Sequence, residues 1–485
     1  MMPAGLLPSP LTTSEILIEP KVRTFSVQAH WLHSGDCRLD ASFHADEVVM
    51  ARRAIVDSGF PLRPLSDPEI AGQIYNLPRF KRIYTSISDK GYSYLSASQV
   101  LMFRPQSERW IARDKAPNKV SRHFAKAGSI LVTCSGIVGR CVLVTKRLEC
   151  YFLTHDLLHI IPNKPVGYLY AFLSTWIGQT LMIEEQYGGT IKHLEPHHLQ
   201  RLPVPLIPDR EQRAMHEQIM QAYRLRDEAN DLLDQADELL HTELGLPRFD
   251  ESQVPYLGGM KRPKGFVVKA SELAARLDAS FHLPTAKAAV QQLHEGKYPL
   301  VRLGDVAQRI FIPPRFKRIY VGPEYGVPFL QGSHIPLMKP YDLKYLSRHA
   351  HTDLSPWIIR QNWVLVTCSG TIGRVALVLG AMDGWAASQH IERIVSDQQR
   401  AQPGYLVAFL MTPYGQHQLT SKVYGGVVDE LTEDDTAAIF IPDAPPEVQQ
   451  RIGTLVVQAF EKKEEANQIE EQAIRTLEEA IAKSR

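Results

Sequence analysis

Arg38-Leu39-Asp40-Ala41-Ser42-Phe43-His44 recurs letter for letter as Arg276-Leu277-Asp278-Ala279-Ser280-Phe281-His282, and an identity of that length within one chain marks an internal duplication. Other blocks repeat in the same order. Pro78-Arg79-Phe80-Lys81-Arg82-Ile83-Tyr84 answers to Pro314-Arg315-Phe316-Lys317-Arg318-Ile319-Tyr320, and Leu131-Val132-Thr133-Cys134-Ser135-Gly136 to Leu365-Val366-Thr367-Cys368-Ser369-Gly370. Further on, Gly167-Tyr168-Leu169 matches Gly404-Tyr405-Leu406, and Tyr187-Gly188-Gly189 matches Tyr424-Gly425-Gly426. Whatever one half folds into, the other must fold into as well.

Between the blocks the halves diverge: Gly91 to Trp110 and Gly326 to Leu346 share little beyond an alternating apolar rhythm and a Pro-bounded loop. One scaffold therefore carries two different surfaces, as expected if each half recognises a different ligand or half-site. Ser129 to Thr133 and Val364 to Thr367 are short β-branched runs closed by a Ser-Gly turn, which read as strands. Val166 to Gln186 and Gly404 to Thr420 carry apolar residues at helical spacing. Each half is thus mixed α and β.

A chain of 485 residues exceeds one hydrophobic core and implies about two to four folding units. Hydrophobic content of 44%, charged content of 22% and a formal net charge of +1 describe an ordinary globular protein. They argue against a general polyanion binder while leaving room for a local basic face. Cys37, Cys134, Cys141, Cys150 and Cys368 show no Cys-x-x-Cys spacing, so neither a zinc site nor a redox motif is indicated and a reducing cytoplasm suits them. The reading places the chain in the cytoplasm and away from the membrane, because no apolar run approaches bilayer length.

Composition changes near Asp209 and again near Glu447 to charged, Gly-poor segments that read as long helices. Met215, Ile219, Ala222, Arg226, Ala229, Leu233, Ala236 and Leu240 step alternately by four and three, a heptad seam broken by one cation. Ile452, Val456, Ala459, Lys463, Ala466, Glu470, Ala473 and Leu477 keep the same register, with Lys463 where Arg226 stands. Alanines in both seams favour close approach of two backbones, so a helix pair is expected. A helix from Glu211 to Glu243 would be about 50 Å long at 1.5 Å per residue, enough to hold two modules well apart. Running antiparallel, the pair would present two-fold-related surfaces from a direct repeat and act as a ruler between half-sites.

The blocks Arg79, Lys81 and Arg82 with Phe80 and Tyr84, and Arg315, Lys317 and Arg318 with Phe316 and Tyr320, resemble a phosphate-contacting edge. The competing reading is a solvated strand edge whose cations block aggregation. The glycine-punctuated turns ending in Arg140 and Arg374, with Ser135, Gly136, Ser369 and Gly370, have amides that could face a phosphate; a purely structural turn fits them equally. They lack the lysine and spacing of a nucleotide-binding loop. Gln331, Ser333 and His334 lie in a divergent loop expected near DNA. Cys134 and Cys368 follow apolar strands and read as buried structural thiols. The pairs Asp40 with His44 and Asp278 with His282 read better as docking the module entrance onto the long helices than as acid-base pairs. No catalytic and no metal-binding residue is expected.

These features together resemble the specificity subunits of Type I restriction-modification systems. The resemblance rests on the order module, helix, module, helix, on Arg276-Leu277-Asp278, on Val301-Arg302-Leu303-Gly304-Asp305-Val306, and on Ser369-Gly370-Thr371-Ile372-Gly373-Arg374. Ile441-Pro442 followed by Gln449 and Gln450, mirrored by Val204-Pro205 and Gln212, adds to it. The resemblance implies an α+β chain of two target recognition domains, residues 24–208 and 266–444, after an N-terminal arm, 1–23. A central helix and linker, 209–265, and a C-terminal helix, 445–485, would form an antiparallel coiled coil. It further implies double-stranded DNA and two methyltransferase subunits as partners, with a translocating nuclease as a further one. No cofactor would be bound by this chain, and S-adenosylmethionine would belong to the methyltransferase. Leu62-Arg63-Pro64-Leu65-Ser66-Asp67 departs from the Leu-Gly-Asp entry, which blurs the first module's boundary. The alternatives from the residues alone are a self-contained DNA-modifying or cleaving enzyme and a scaffold that binds only proteins.

Overall fold

The computed structural model describes residues 46–85, 90–188, 190–257, 265–273, 276–351, 353–426 and 428–483. The N-terminal arm, the block Arg38 to His44 and Cys37 lie outside them.

The first half opens with helix α1 (Asp46–Asp57) and strand β1 (Leu62–Pro64). It continues with β2 (Ala71–Asn76), β3 (Tyr84–Thr85), β4 (Gly91–Leu95), β5 (Arg109–Ala112), β6 (Ile130–Ser135), β7 (Ile137–Leu143), β8 (Phe152–Leu153) and β9 (Leu157–Pro162). Helices α2 (Val166–Ser174), α3 (Trp176–Glu184) and α4 (Pro196–Gln200) and strand β10 (Pro203–Pro205) precede the long helix α5 (Asp209–Leu244). The second half repeats the plan with α6 (Pro284–His294), β11 (Leu300–Arg302), β12 (Ala307–Phe311), β13 (Tyr320–Val321), β14 (Gly326–Leu330) and β15 (Lys344–Ser347). Next come β16 (Val364–Thr367), β17 (Val375–Leu377), β18 (Ala386–Ala387), β19 (Ile391–Ser396), α7 (Pro403–Met411), α8 (Pro413–Ser421), α9 (Glu433–Ala437) and β20 (Phe440–Pro442). The second long helix, α10, is Pro446–Lys483.

Sheet topology is duplicated strand for strand. The order β2-β9-β6-β7 recurs as β12-β19-β16-β17, β3-β5-β4-β8 as β13-β15-β14-β18, and the ribbon β1-β10 as β11-β20. One irregularity is shared, the register shift in β2 between Ala71 and Gln73 and in β12 between Ala307 and Arg309, and β4-β8 and β14-β18 are the parallel pairings. A second shift, in β6 between Val132 and Cys134, has no counterpart in β16-β17. The duplicated topology follows from the repeated blocks, since the same buried β-branched residues must face the same way in each copy.

The helix expected over Val166 to Gln186 is two helices meeting at Thr175, and that over Gly404 to Thr420 breaks likewise at Thr412. Both threonines are extended, and their hydroxyls cap the next helix by accepting from the amides of Gly178 and Gly415. Only glycine fits there: a Cβ on Gly415 would come within 2.6 Å of Leu410 Cα, and one on Gly178 would collide with Phe172 O. Apolar spacing continued through the corner and hid it.

The long helices run antiparallel, because Glu228 pairs with Lys462 and Glu243, further along α5, pairs with Arg451, earlier in α10. The predicted seam residues Met215, Ile219, Ala222, Ala229, Leu233, Ile452, Val456, Ala459, Ala466 and Leu477 are each at most 3% exposed. They do not form a free-standing two-helix seam. Met215 and Ile219 with Ala473 and Leu477 enter the first half's core, while Ala229 and Leu233 with Ile452, Val456 and Ala459 enter the second's. Each core therefore takes the start of its own following helix and the end of the other.

The expectation that the long helices hold the two modules well apart needs correction, because the halves also touch directly. Phe103 N donates to Pro336 O and Met338 N to Leu101 O, both at 2.9 Å, so that Met102 and Leu337 bridge directly. Arg140 reaches Asp342 at 2.6 Å and, reciprocally, Arg374 reaches Glu108 at 2.8 Å. Asn230 donates to Phe103 O and Asn467, in the matching register, to Met338 O. Arg104 pairs with Asp234 and Lys339 with Glu471. Equivalent positions meet reciprocally, the mark of an isologous contact, here folded into one chain. Short polar and proline-bearing loops gave no periodic signal of it.

Candidate nucleic-acid interface

Between β2 and β3, and between β12 and β13, the basic-aromatic block crosses as extended chain. Alternation sends Phe80 and Phe316 inward and Arg79, Lys81, Arg315 and Lys317 outward, while Arg82 and Arg318 share the side of the aromatic. Phe80 packs edge-on against Phe152 and His123, and Phe316 edge-on against Phe329 and tilted over Trp357. The aromatic thus anchors each segment while its neighbours face solvent.

The cations are not equivalent. Arg82 donates to Asp156 at 2.7 Å and to Thr154 Oγ1 at 3.1 Å. Its counterpart Arg318 donates to Gln389 Oε1 at 2.8 Å and lies over the Phe329 ring. Arg315 pairs with Glu430 at 3.4 Å. Arg79, Lys81 and Lys317 have no ion-pair partner among the described residues and are exposed. A groove of about 420 Å³ beside Arg79 is lined also by Arg122, Ser135, His155, Asp156, His193 and Glu195. The basic segment and the Thr-Cys-Ser-Gly turn therefore share one surface.

That turn is fixed by its own hydrogen bonds. Gly136 and Gly370 have φ of +74° and +77°, a left-handed conformation glycine adopts without steric cost. Their amides donate to Lys192 O and Asp429 O, and Thr133 and Thr367 hydroxyls accept from the amides of Arg140 and Arg374 at 2.9 Å. These two glycine amides are already bonded, and Arg140 and Arg374 are ion-paired across the halves, so the turn positions neighbours more than it offers donors. Ser135 and Ser369 stay at the rim, paired through the backbone with His193 and Glu430.

Of the divergent-loop residues, Ser333 is exposed, whereas His334 is buried with Nδ1 accepting from Gln331 N at 3.3 Å. This loop carries Leu337 and Met338, so it faces the other half. Burial pushes the Cys134 and Cys368 thiols up to about 12, leaving them protonated near neutrality. Asp278 is held well below the usual carboxylate range, first by its hydrogen bond with Arg276, and His282 Nε2 contacts Arg276 O. Arg276 donates to the carbonyls of Lys422 and Val423. The block therefore docks on the end of α8, and not on the long helices as expected. Asp40 and His44 lie outside the described residues. Among the described residues no group of His, Cys, Asp or Glu is clustered to hold a metal, and no helix is long and apolar enough to cross a membrane. A separate groove of about 760 Å³ is lined by Tyr256, Phe266, Phe281, Lys287 and Phe440 among others and includes none of the predicted contact residues.

Sequence reasoning missed Lys192, His193, Asp429 and Glu430, which flank the turns, and Asn230 and Asn467, which tie loops to helices. The asparagines were findable, each four residues after the seam's cation.

Fold and site define a doubled scaffold: one sheet architecture built twice on a pair of antiparallel helices, each copy bearing an exposed basic-aromatic segment. The chain is similar to the solved S subunit of a Type I restriction-modification system from M. genitalium, at 12% identity and a TM-score of 0.36, covering 88% of this chain and 96% of that one. It is also similar to the HsdS subunit from Thermoanaerobacter tengcongensis, at 15% identity and a TM-score of 0.28, covering 88% and 96%. No sequence-family description and no curated protein matches the chain.

Proposed function

We propose that this chain is the DNA-reading subunit of a Type I restriction-modification system. Its two target recognition domains, residues 24–208 and 266–444, are joined by an antiparallel coiled coil, read the two halves of a split site, and direct a separate N6-adenine methyltransferase to it. The observation that carries the reading is the reciprocal pairing of the halves, Met102 with Leu337 and Arg140–Asp342 with Arg374–Glu108. It turns a direct sequence repeat into two surfaces related by an approximate two-fold, as duplex DNA presents two half-sites on opposite strands. Arg79, Lys81 and Lys317 would position each domain on phosphates, and divergent loops would read bases. Two methyltransferase subunits bind the complex and supply S-adenosylmethionine, a nuclease subunit can join, and the assembly works in the cytoplasm.

The test is reconstitution. The chain with its methyltransferase should transfer methyl groups to duplex DNA, and the chain alone should not. Activity of the chain alone would show an enzyme instead. Because Arg82 already has Asp156 as a partner, Lys81→Ala/Arg82→Ala should lower the salt slope of binding by about one, where two free cations would give about two.

A further inference from the structure

The Tyr-Gly-Gly hairpins are one backbone built twice. Tyr187 and His193 exchange backbone bonds of 3.0 and 2.8 Å, and Tyr424 and Glu430 bonds of 2.9 and 2.8 Å. The residue before the second partner, Lys192 or Asp429, accepts from Gly136 N or Gly370 N. Lys192 and Asp429 thus occupy one site, and His193 and Glu430 the next, each beside the basic-aromatic segment of its half.

Their side chains are opposite in sign. The first copy sets one lysine and one histidine there, the second two carboxylates. With the imidazole neutral, one positive charge stands against two negative ones at these two hairpin positions. The carboxylates nearby in the first half, Asp156 and Glu195, are engaged by Arg82 and by Tyr187 OH, each at 2.7 Å, and leave Arg79, Lys81 and Lys192 unpaired among the described residues. Glu430 also accepts from Tyr424 OH at 3.3 Å and holds Arg315 at 3.4 Å. Arg79, the counterpart of Arg315, and Lys192 have no ion-pair partner among the described residues. Glu430 lies 3.4 Å from Arg315, and His193 lines one groove with Arg79; contacts this short fall inside a Debye length of roughly 8 Å at physiological salt, so screening does not erase them.

We infer that the two halves grip the phosphate backbone unequally. The first half is the electrostatic anchor, through Arg79, Lys81 and Lys192. The second, neutralised by Asp429 and Glu430, adds little backbone attraction and depends on base contacts. This rests on the DNA-reading function proposed above. It gives the complex a polarity on DNA that the shared fold does not impose: the first half-site is engaged through salt-sensitive contacts, the second through contacts that reject mismatches more sharply.

The experiment measures binding of a fluorescent mixed-sequence duplex by the full chain in complex with its methyltransferase, across a salt series. Lys192→Asp/His193→Glu in the first half should weaken binding several-fold and lower the salt slope by about one. The mirror change, Asp429→Lys/Glu430→His, should tighten binding and steepen the slope by about one to two, because it adds a cation and frees Arg315. The milder Lys192→Ala and Glu430→Ala should move the slope in the same two directions if the reversals unfold the hairpin. Equal responses of the two halves, or a flatter slope from Glu430→Ala, would overturn the anchor assignment while leaving DNA reading intact. A wild-type complex with no salt-dependent duplex binding would overturn both.

Discussion

Replacing Arg226 by methionine should cost about 3 kcal/mol of stability, and the structure accounts for the figure. Arg226 and Glu470 are 3% and 5% exposed, with Nη1 2.6 Å from Oε2. Nη2 of the same arginine donates to Asn467 at 2.8 Å, and Tyr170 OH to Glu470 at 3.2 Å. Removing one member of such a pair leaves a buried charge, which costs about 3–5 kcal/mol. Lys339, 3.7 Å from Glu470 and partly exposed, compensates in part and sets the expectation at the lower end. Removing both charges, as Arg226→Met/Glu470→Leu, should restore stability to within about 1 kcal/mol of the parent, because the pair's desolvation cost disappears with it. Burial works against ionisation of Glu470, but Arg226 and Lys339 outweigh it and hold the carboxyl below its ordinary value. A depressed carboxylate stabilises the fold above its unfolded pKa, near 4.3, and loses that contribution as pH falls through the folded value. In Arg226→Met the main restraint is gone, so its deficit relative to the parent should shrink on acidification as Glu470 takes up a proton. The assay is urea unfolding of the parent, both single variants and the double, at pH 7 and pH 5. A single variant within about 1 kcal/mol of the parent, or a double as unstable as the two singles combined, would refute the reasoning.

Three further outcomes are expected. A Cβ at position 167 would come within 2.7 Å of His216 Cα and one at 404 would strike Gly453 O, so Gly167→Ala and Gly404→Ala should each cost about 1–3 kcal/mol, read by thermal unfolding. Lys463 sits over the rings of Phe103 and Phe460 at 4.7 and 5.7 Å, and burial pulls its amine down to about 8. The unfolded chain then binds more protons between about pH 8 and 10.4, so stability should rise with pH in that window; Lys463→Met should raise the melting temperature at pH 7 and abolish the rise. Arg140→Ala/Arg374→Ala removes both reciprocal ion pairs between the halves and should speed amide exchange at 101–103 and 336–338 while sparing the sheet cores.

The duplication, the strand placement and the helix register were legible because they are periodic or repeated: Val364 to Thr367 is a strand, and the seam from Met215 to Leu240 is buried. The Thr175 and Thr412 corners escaped because two short apolar helices in series keep nearly the same spacing as one. The contact between the halves escaped because Met102 and Leu337 sit in loops with different sequences, and a backbone bridge needs no particular side chain. Arg140 and Arg374 were visible as repeated cations, but a sequence cannot show that Asp342 and Glu108 stand opposite them. The basic-aromatic segment was legible in composition, whereas the opposed charges at Lys192 and Asp429 gain meaning only once the hairpins superimpose.

The most direct test of the account is modified-base sequencing of a host carrying this chain with its methyltransferase, alongside a second host in which residues 24–208 are exchanged for another such domain. The account predicts adenine methylation at a two-part motif with a fixed gap, and an exchange that rewrites one part while leaving the other part and the gap unchanged. A single continuous motif, or an exchange that alters both parts together, would contradict it.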